Sequence, residues 1–214
     1  MTDFPTPDSE SDPELTTLHV RRATGGDTES LGWVFERFSP LLQAQAVYRL
    51  GPVVGARIDV EDVVAEAWLI SMPKLGDIVP REGRYTPVLL RYMASVVQNV
   101  ANNRIRRFFR ESARGGSDEL GGPRFEDELS ASMTGAISRA CKQERSLAIR
   151  TGLEALDESD RTVVILRGIE GRPNGEVAEL LGELPNTVSH RYRRALERLR
   201  AALPNSVFDE LVAP

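Results

Sequence analysis

The chain has 214 residues, 41% of them hydrophobic, and a formal net charge of −5, enough to bury one large core or two small ones. A single cysteine, Cys141, excludes an internal disulfide framework; two histidines, His19 and His190, with no CxxC or HxxxH spacing exclude a metal cage, so neither metal nor cofactor is expected. No apolar run reaches membrane-spanning length, and the N-terminus is acidic and proline-rich where a secretory signal is basic then apolar, so no membrane contact and a cytoplasmic location are expected.

Met1 to about Pro13 is polar, acidic and poor in large apolar residues, and residues 1–14 are expected to stay mobile because they cannot offset their ordering entropy. From 15 to 110 the pattern is helical. Apolar residues recur every three or four positions in Leu31, Val34, Phe35, Phe38, Leu41 and Leu42, and again in Val60, Val63, Val64, Ala67 and Trp68. Gly51-Pro52 and the stretch from Gly76 to Pro87 punctuate this half and read as loops.

The segment DVEDVVAEAWL puts Val60, Val63, Val64, Ala67 and Trp68 inward and Asp59, Asp62 and Glu66 outward. An acidic docking surface or a plain solvated face explains those carboxylates better than catalysis or a divalent metal, which need a concave site with further ligands. The loop after it, with Asp77, Arg81, Arg84 and Tyr85, offers stacking and charge. From Met93 to Arg110, Met93, Val96, Val97 and Val100 form an apolar stripe, and Ser95, Asn99, Asn102, Asn103, Arg106 and Arg110 lie opposite. Amides that both donate and accept, beside guanidinium groups, suit unpaired or melting DNA; interhelical hydrogen bonds by the Asn residues are the alternative.

Residues 111–133 are rich in Gly, Ser and acid and read as a flexible linker. A second helical unit is expected over 134–204, with 205–214 as a short tail. Cys141 sits in a polar helical stretch with no activating base beside it and reads as packing.

Within the second unit, GRPNGEVAELLGELPNTVSHRYRRALERLRAAL reads as a helix-turn-helix. Asn174 is expected to cap a short helix over Glu176 to Leu181, Gly182 to supply a left-handed stop, and Asn186 or Thr187 to cap the helix after Pro185. At 100° per residue the second helix places Val188, Tyr192, Ala195, Leu196, Leu199 and Leu203 on one stripe, and Thr187, His190, Arg191, Arg194 and Arg198 opposite. Such a helix presents its first turns to base edges in a major groove while later cations hold phosphates. A solvated, arginine-rich amphipathic helix is the bland alternative.

In order and spacing these segments resemble the extracytoplasmic-function (ECF) group of the sigma-70 family, over about residues 18 to 203. The resemblance rests on D-x-E-D-x-x-x-E at Asp59, Glu61, Asp62 and Glu66; on Asn99, Asn103 and Arg106; on the stretch Leu156 to Leu166; on G-x-x-x-x-E-V-A-x-x-L-G from Gly171 to Gly182; and on T-V-x-x-R-x-x-R-A-x-x-x-L-R from Thr187 to Arg200. It implies an all-α protein of two small helical domains, region 2-like and region 4-like, joined by a flexible linker.

It further implies a non-enzymatic subunit that binds core RNA polymerase through the clamp of the largest subunit and the flap of the second-largest. Polymerase docking carries over to Asp59, Asp62 and Glu66; minus-10 contacts to Asn99, Asn103, Arg106, Arg107 and Arg110; minus-35 contacts to Thr187, Ser189, His190, Arg191, Arg194 and Arg198. Family habit adds an anti-sigma protein as a partner. The chain departs from the pattern at Tyr92, where Trp is frequent, at Asn103, where Asp is usual, and at Pro173-Asn174-Gly175. The rival readings are a helix-turn-helix repressor or activator with an N-terminal sensor or dimerisation domain, and a helical adaptor that never meets DNA.

Overall fold

The computed structural model describes residues 12–113 and 147–203. Helix α1 (Asp12–Thr24) begins inside the stretch expected to be mobile, and α2 (Thr28–Gly55) follows a two-glycine turn. Asp27 caps α2, its carboxylate accepting the Ser30 N–H at 2.7 Å. Gly51, expected in a loop, instead kinks α2 (φ 66°, ψ 173°), and the chain resumes as one further turn. Helix α3 (Val60–Ser71) runs into a 3₁₀ turn (Met72–Asp77), so part of the expected loop is ordered as helix. Helix α4 (Thr86–Ala113) then extends three residues into the expected linker; the rest of that linker, the tail and Cys141 lie outside the described residues.

In the second half, α5 (147–154) leads to α6 (Glu158–Val163), which opens into a π-helical turn (Val164–Ile169) before α7 (Asn174–Leu181) and α8 (Pro185–Ala202). The fold is all-α, and among the described residues there is no strand, only a single bridge between Arg81 and Arg84. No helix among the described residues is long and apolar enough to cross a membrane.

The apolar stripes of α2, α3 and α4 converge on Phe38, Leu41, Leu42, Trp68, Leu90 and Met93, all at most 1% exposed. Burying an indole leaves its N–H needing an acceptor; Trp68 Nε1 donates to Ser39 Oγ at 3.0 Å, and Ser39 Oγ donates to the Phe35 carbonyl at 2.6 Å. The same apolar cluster continues into the second half through Ile149, Leu153, Ile165, Ile169, Leu196 and Leu199. The halves therefore share a core and are not merely tethered.

A polar knot seals this junction. Glu170, buried just after the π-helical turn, accepts from Arg49 Nε at 2.7 Å, from Gln45 Nε2 at 3.1 Å and from Arg172 Nε at 2.8 Å. Gln45 Nε2 also donates to the Ala94 carbonyl at 3.0 Å, tying α2 to α4. The wide turn brings Glu170 there, its N–H reaching back to the Ile165 carbonyl at 2.9 Å. Gly171 follows at φ +63°, where a Cβ would lie 3.2 Å from Arg91 Cδ, so both the backbone and the close approach need glycine.

Candidate nucleic-acid interface

Helix α7 buries Val177 and Ala178 against Val163, Leu166 and Val188 in a small second cluster. Gly182 (φ 65°, ψ 29°) stops α7 as expected, in a Schellman arrangement: Glu183 N–H reaches the Ala178 carbonyl at 2.9 Å and Gly182 N–H the Glu179 carbonyl at 3.2 Å. The expected caps are not made. Asn174 is itself the first residue of α7, and its amide donates to the Pro185 carbonyl at 2.8 Å, joining the starts of the two helices. Helix α8 opens on Pro185, which has no N–H to satisfy, so Asn186 and Thr187 lie inside its first turn and neither caps it.

Val188, Ala195, Leu196 and Leu199 of α8 are buried, and Tyr192 and Leu203 are half-buried beside them. Opposite, Thr187, His190, Arg194 and Arg198 are exposed and Arg191 is half-buried. Ser189 stands off this stripe, half-buried. His190 Nδ1 lies 3.1 Å from Arg193 Nη2, a guanidinium nitrogen that can only donate. Tyr192 is stacked under the Arg167 guanidinium, 4.6 Å from ring centroid to Cζ. Burial pushes its phenol up to about 12, and the Arg167 charge pulls the other way.

The arginines of α8 are not all free in solvent. Arg194 Nη2 reaches both oxygens of Asp160 at 3.2 and 3.1 Å, and Arg198 Nη1 one of them at 3.4 Å. Arg191 Nη1 stands 3.9 Å from the same carboxylate, and its Nε 3.2 Å from Glu183. Asp157 caps α6 by accepting the Asp160 N–H at 2.8 Å, and that bond holds its own carboxyl below the usual value. The result is a shallow cleft between the start of α6 and the exposed face of α8, in which Ser159 and Arg193 join the residues expected from sequence.

On α4, Asn99, Asn103, Arg106 and Arg110 form one exposed line, and no hydrogen bond joins the side chain of Asn99 or Asn103 to another described residue. Arg107, also exposed, pairs with Glu111 at 2.5 Å. Phe109, 58% exposed and edge-on to Phe108, adds an aromatic surface that the apolar-stripe pattern gave no reason to single out. Of the preceding loop, Tyr85 packs half-buried on the core and Arg81 is exposed.

The acidic face of α3 has a mixed character. Asp59 is exposed and caps the helix, accepting the Glu61 N–H at 2.8 Å; Asp62 is half-buried; Glu66 pairs with Arg104 of α4 at 2.6 Å. Leu69 and Ile70, both exposed, extend the same end of α3. One ion pair thus ties the acidic surface of α3 to α4, at an arginine that stands off the exposed line.

Residues 146–199 match the family Sigma-70, region 4. Over 210 residues, 93% of this chain and 70% of the relative, the chain is 22% identical to the ECF RNA polymerase sigma factor BldN of Streptomyces coelicolor. It also aligns with CnrH, solved in complex with the cytosolic domain of CnrY, at a TM-score of 0.38 and 22% identity, covering 88% of this chain and 96% of that one.

Proposed function

With a sigma-70 region 4 match in its second half and a likeness to an ECF sigma factor along nearly its whole length, we propose that this chain is an alternative sigma factor. It binds core RNA polymerase and selects promoters, working by positioning and not by catalysis. The observation that carries the proposal is the exposed stripe of Thr187, His190, Arg194 and Arg198 on the second helix of the helix-turn-helix, with Arg191 beside it. This is the geometry of a helix that reads duplex bases with its first turns and holds phosphates with later cations. Ser189 contributes from the flank.

The line of Asn99, Asn103, Arg106 and Arg110, with Arg107 beside it, serves the minus-10 element: unpaired amides address base edges, and guanidinium groups and Phe109 hold phosphate and stack on bases. Asp59, Asp62 and Glu66, flanked by Leu69 and Ile70, form the docking face for the polymerase clamp, while the helix-turn-helix half meets the flap. An anti-sigma protein is the expected regulator, and the protein works in the cytoplasm.

Run-off transcription from a library of promoter fragments tests this, with bacterial core polymerase alone, with the protein, and with Asp62→Arg and His190→Ala variants. Transcripts from a discrete promoter set are expected, lost with the first variant and weakened with the second. Sequence-specific binding by the protein alone, with no added initiation, would turn the assignment to a helix-turn-helix repressor or activator.

A further inference from the structure

Asp160 has no exposed surface, yet it lies under the face of α8 proposed to read duplex DNA. Its backbone N–H is fixed by Asp157, and its carboxylate faces Arg194, Arg198 and, at the rim, Arg191. We propose that Asp160 is a positioning residue for the reading helix: it holds these guanidinium groups in one array and so sets sequence discrimination more than overall affinity. The inference rests on the DNA-reading function proposed above.

The donor geometry supports this. Asp160 faces three guanidinium groups, Arg191 also pairs with Glu183, and Asp157 lies near all three, so this face meets DNA through the donors left over and not through a large net charge. Each guanidinium has five N–H donors, and the side chains of Arg194 and Arg198 remain 54% exposed, so donors stay available on the outer side. Arginine is a long, rotamer-rich side chain, and ordering it on the target opposes binding. Arg194 touches both oxygens of a fully buried carboxylate, so part of that ordering precedes DNA. A free arginine finds a phosphate on any sequence; an arginine held in direction favours the bases that match it.

The experiment uses the full chain with core polymerase. Wild-type holoenzyme first selects from duplexes randomised upstream of a constant downstream element. Wild type and Asp160→Asn are then compared on the selected duplex and on a scrambled one, across a salt series. The expected result for Asp160→Asn is a ratio of selected to scrambled affinity lowered about tenfold, the size of one base-pair mismatch. Binding to scrambled duplex is unchanged or tighter, because a negative charge has been removed. Arg194→Lys, which keeps the charge but has no second nitrogen to direct at a base while the first holds Asp160, lowers the ratio in the same way, and Asp160→Asn adds little in that background.

An unchanged ratio in Asp160→Asn overturns the proposal, and so does an equal loss on both duplexes with a lowered melting temperature, which marks a purely structural residue. If Asp160→Asn fails to fold, an unchanged ratio in Arg194→Lys overturns it alone. If wild-type holoenzyme selects no sequence, the DNA-reading function itself has failed, an outcome distinct from all of these.

Discussion

Arg49 and Glu170 stand 121 positions apart in sequence, and Arg49 Nε donates to Glu170 Oε1 at 2.7 Å. The Glu170 side chain is 4% exposed and that of Arg49 21%. Removing one partner of a pair this buried leaves the other uncompensated. Glu170→Ala is expected to lose about 3 kcal/mol of stability and, because the pair spans the two halves, to unfold in two urea transitions where the wild type is expected to show one. Unfolding followed by fluorescence and circular dichroism together shows whether the probes cease to coincide.

Gly171 and Gly182 both adopt left-handed backbone, but only Gly171 faces a neighbour where a Cβ would fall. Gly182→Ala is expected to cost about 1 kcal/mol, the conformational penalty alone. Gly171→Ala carries that penalty plus displacement of the Arg91 side chain, and melts at the lower temperature of the two. Thermal denaturation of both variants measures the difference.

The phenol of Tyr192 is neutral in the folded protein up to about 12, against an ordinary value of 10.0. An acid whose folded pKa is raised contributes stability fully below its unfolded pKa and loses it as pH climbs through the folded one. A gap of that size corresponds to roughly 3 kcal/mol. Wild-type stability is therefore expected to fall between about pH 10 and pH 12, while Tyr192→Phe lacks this component. Urea midpoints across the alkaline range, with phenolate absorbance differenced between the two proteins, provide the check.

Glu66 and Arg104 form a pair whose side chains are 42% and 27% exposed, a setting in which an ion pair is worth less than about 1 kcal/mol. The double exchange Glu66→Arg with Arg104→Glu is expected to leave the melting temperature within a few degrees of wild type. It also places a cation in the proposed docking face, so transcription is expected to drop at least tenfold. Full activity in the exchanged protein would mean that Glu66 serves only to hold Arg104.

The faces of α8 were legible because large apolar residues and arginines alternate there at helical spacing with few intermediate cases. The stop at Gly182 was legible for the same kind of reason, since few residues take a left-handed backbone. The caps were misread because Asn174 and Asn186 are good capping residues wherever they stand, and only the positions of Pro173 and Pro185 at the true helix starts decide that neither is used as one. Asp160 was hidden in the acidic run Asp157 to Asp160, which has the composition of a solvated turn; its burial depends on α8 crossing above it. The contact of Gln45 and Arg49 with Glu170 left no local trace, since the first two are ordinary polar residues of α2 and the third an ordinary one just past the π-helical turn.

The shared core also sets a length. A body of this many residues is about 40 Å across, whereas elements centred 35 and 10 base pairs upstream of a start site are about 85 Å apart at 3.4 Å per base pair. On the proposed function, the protein in this form is too short a ruler to touch both marks. It can rest one half on its element while the other hangs free of the duplex, and two-point contact begins only when Arg49 and Glu170 part. The chain between Ala113 and Leu147, at about 3.3 Å per residue when extended, is long enough to cover that gap.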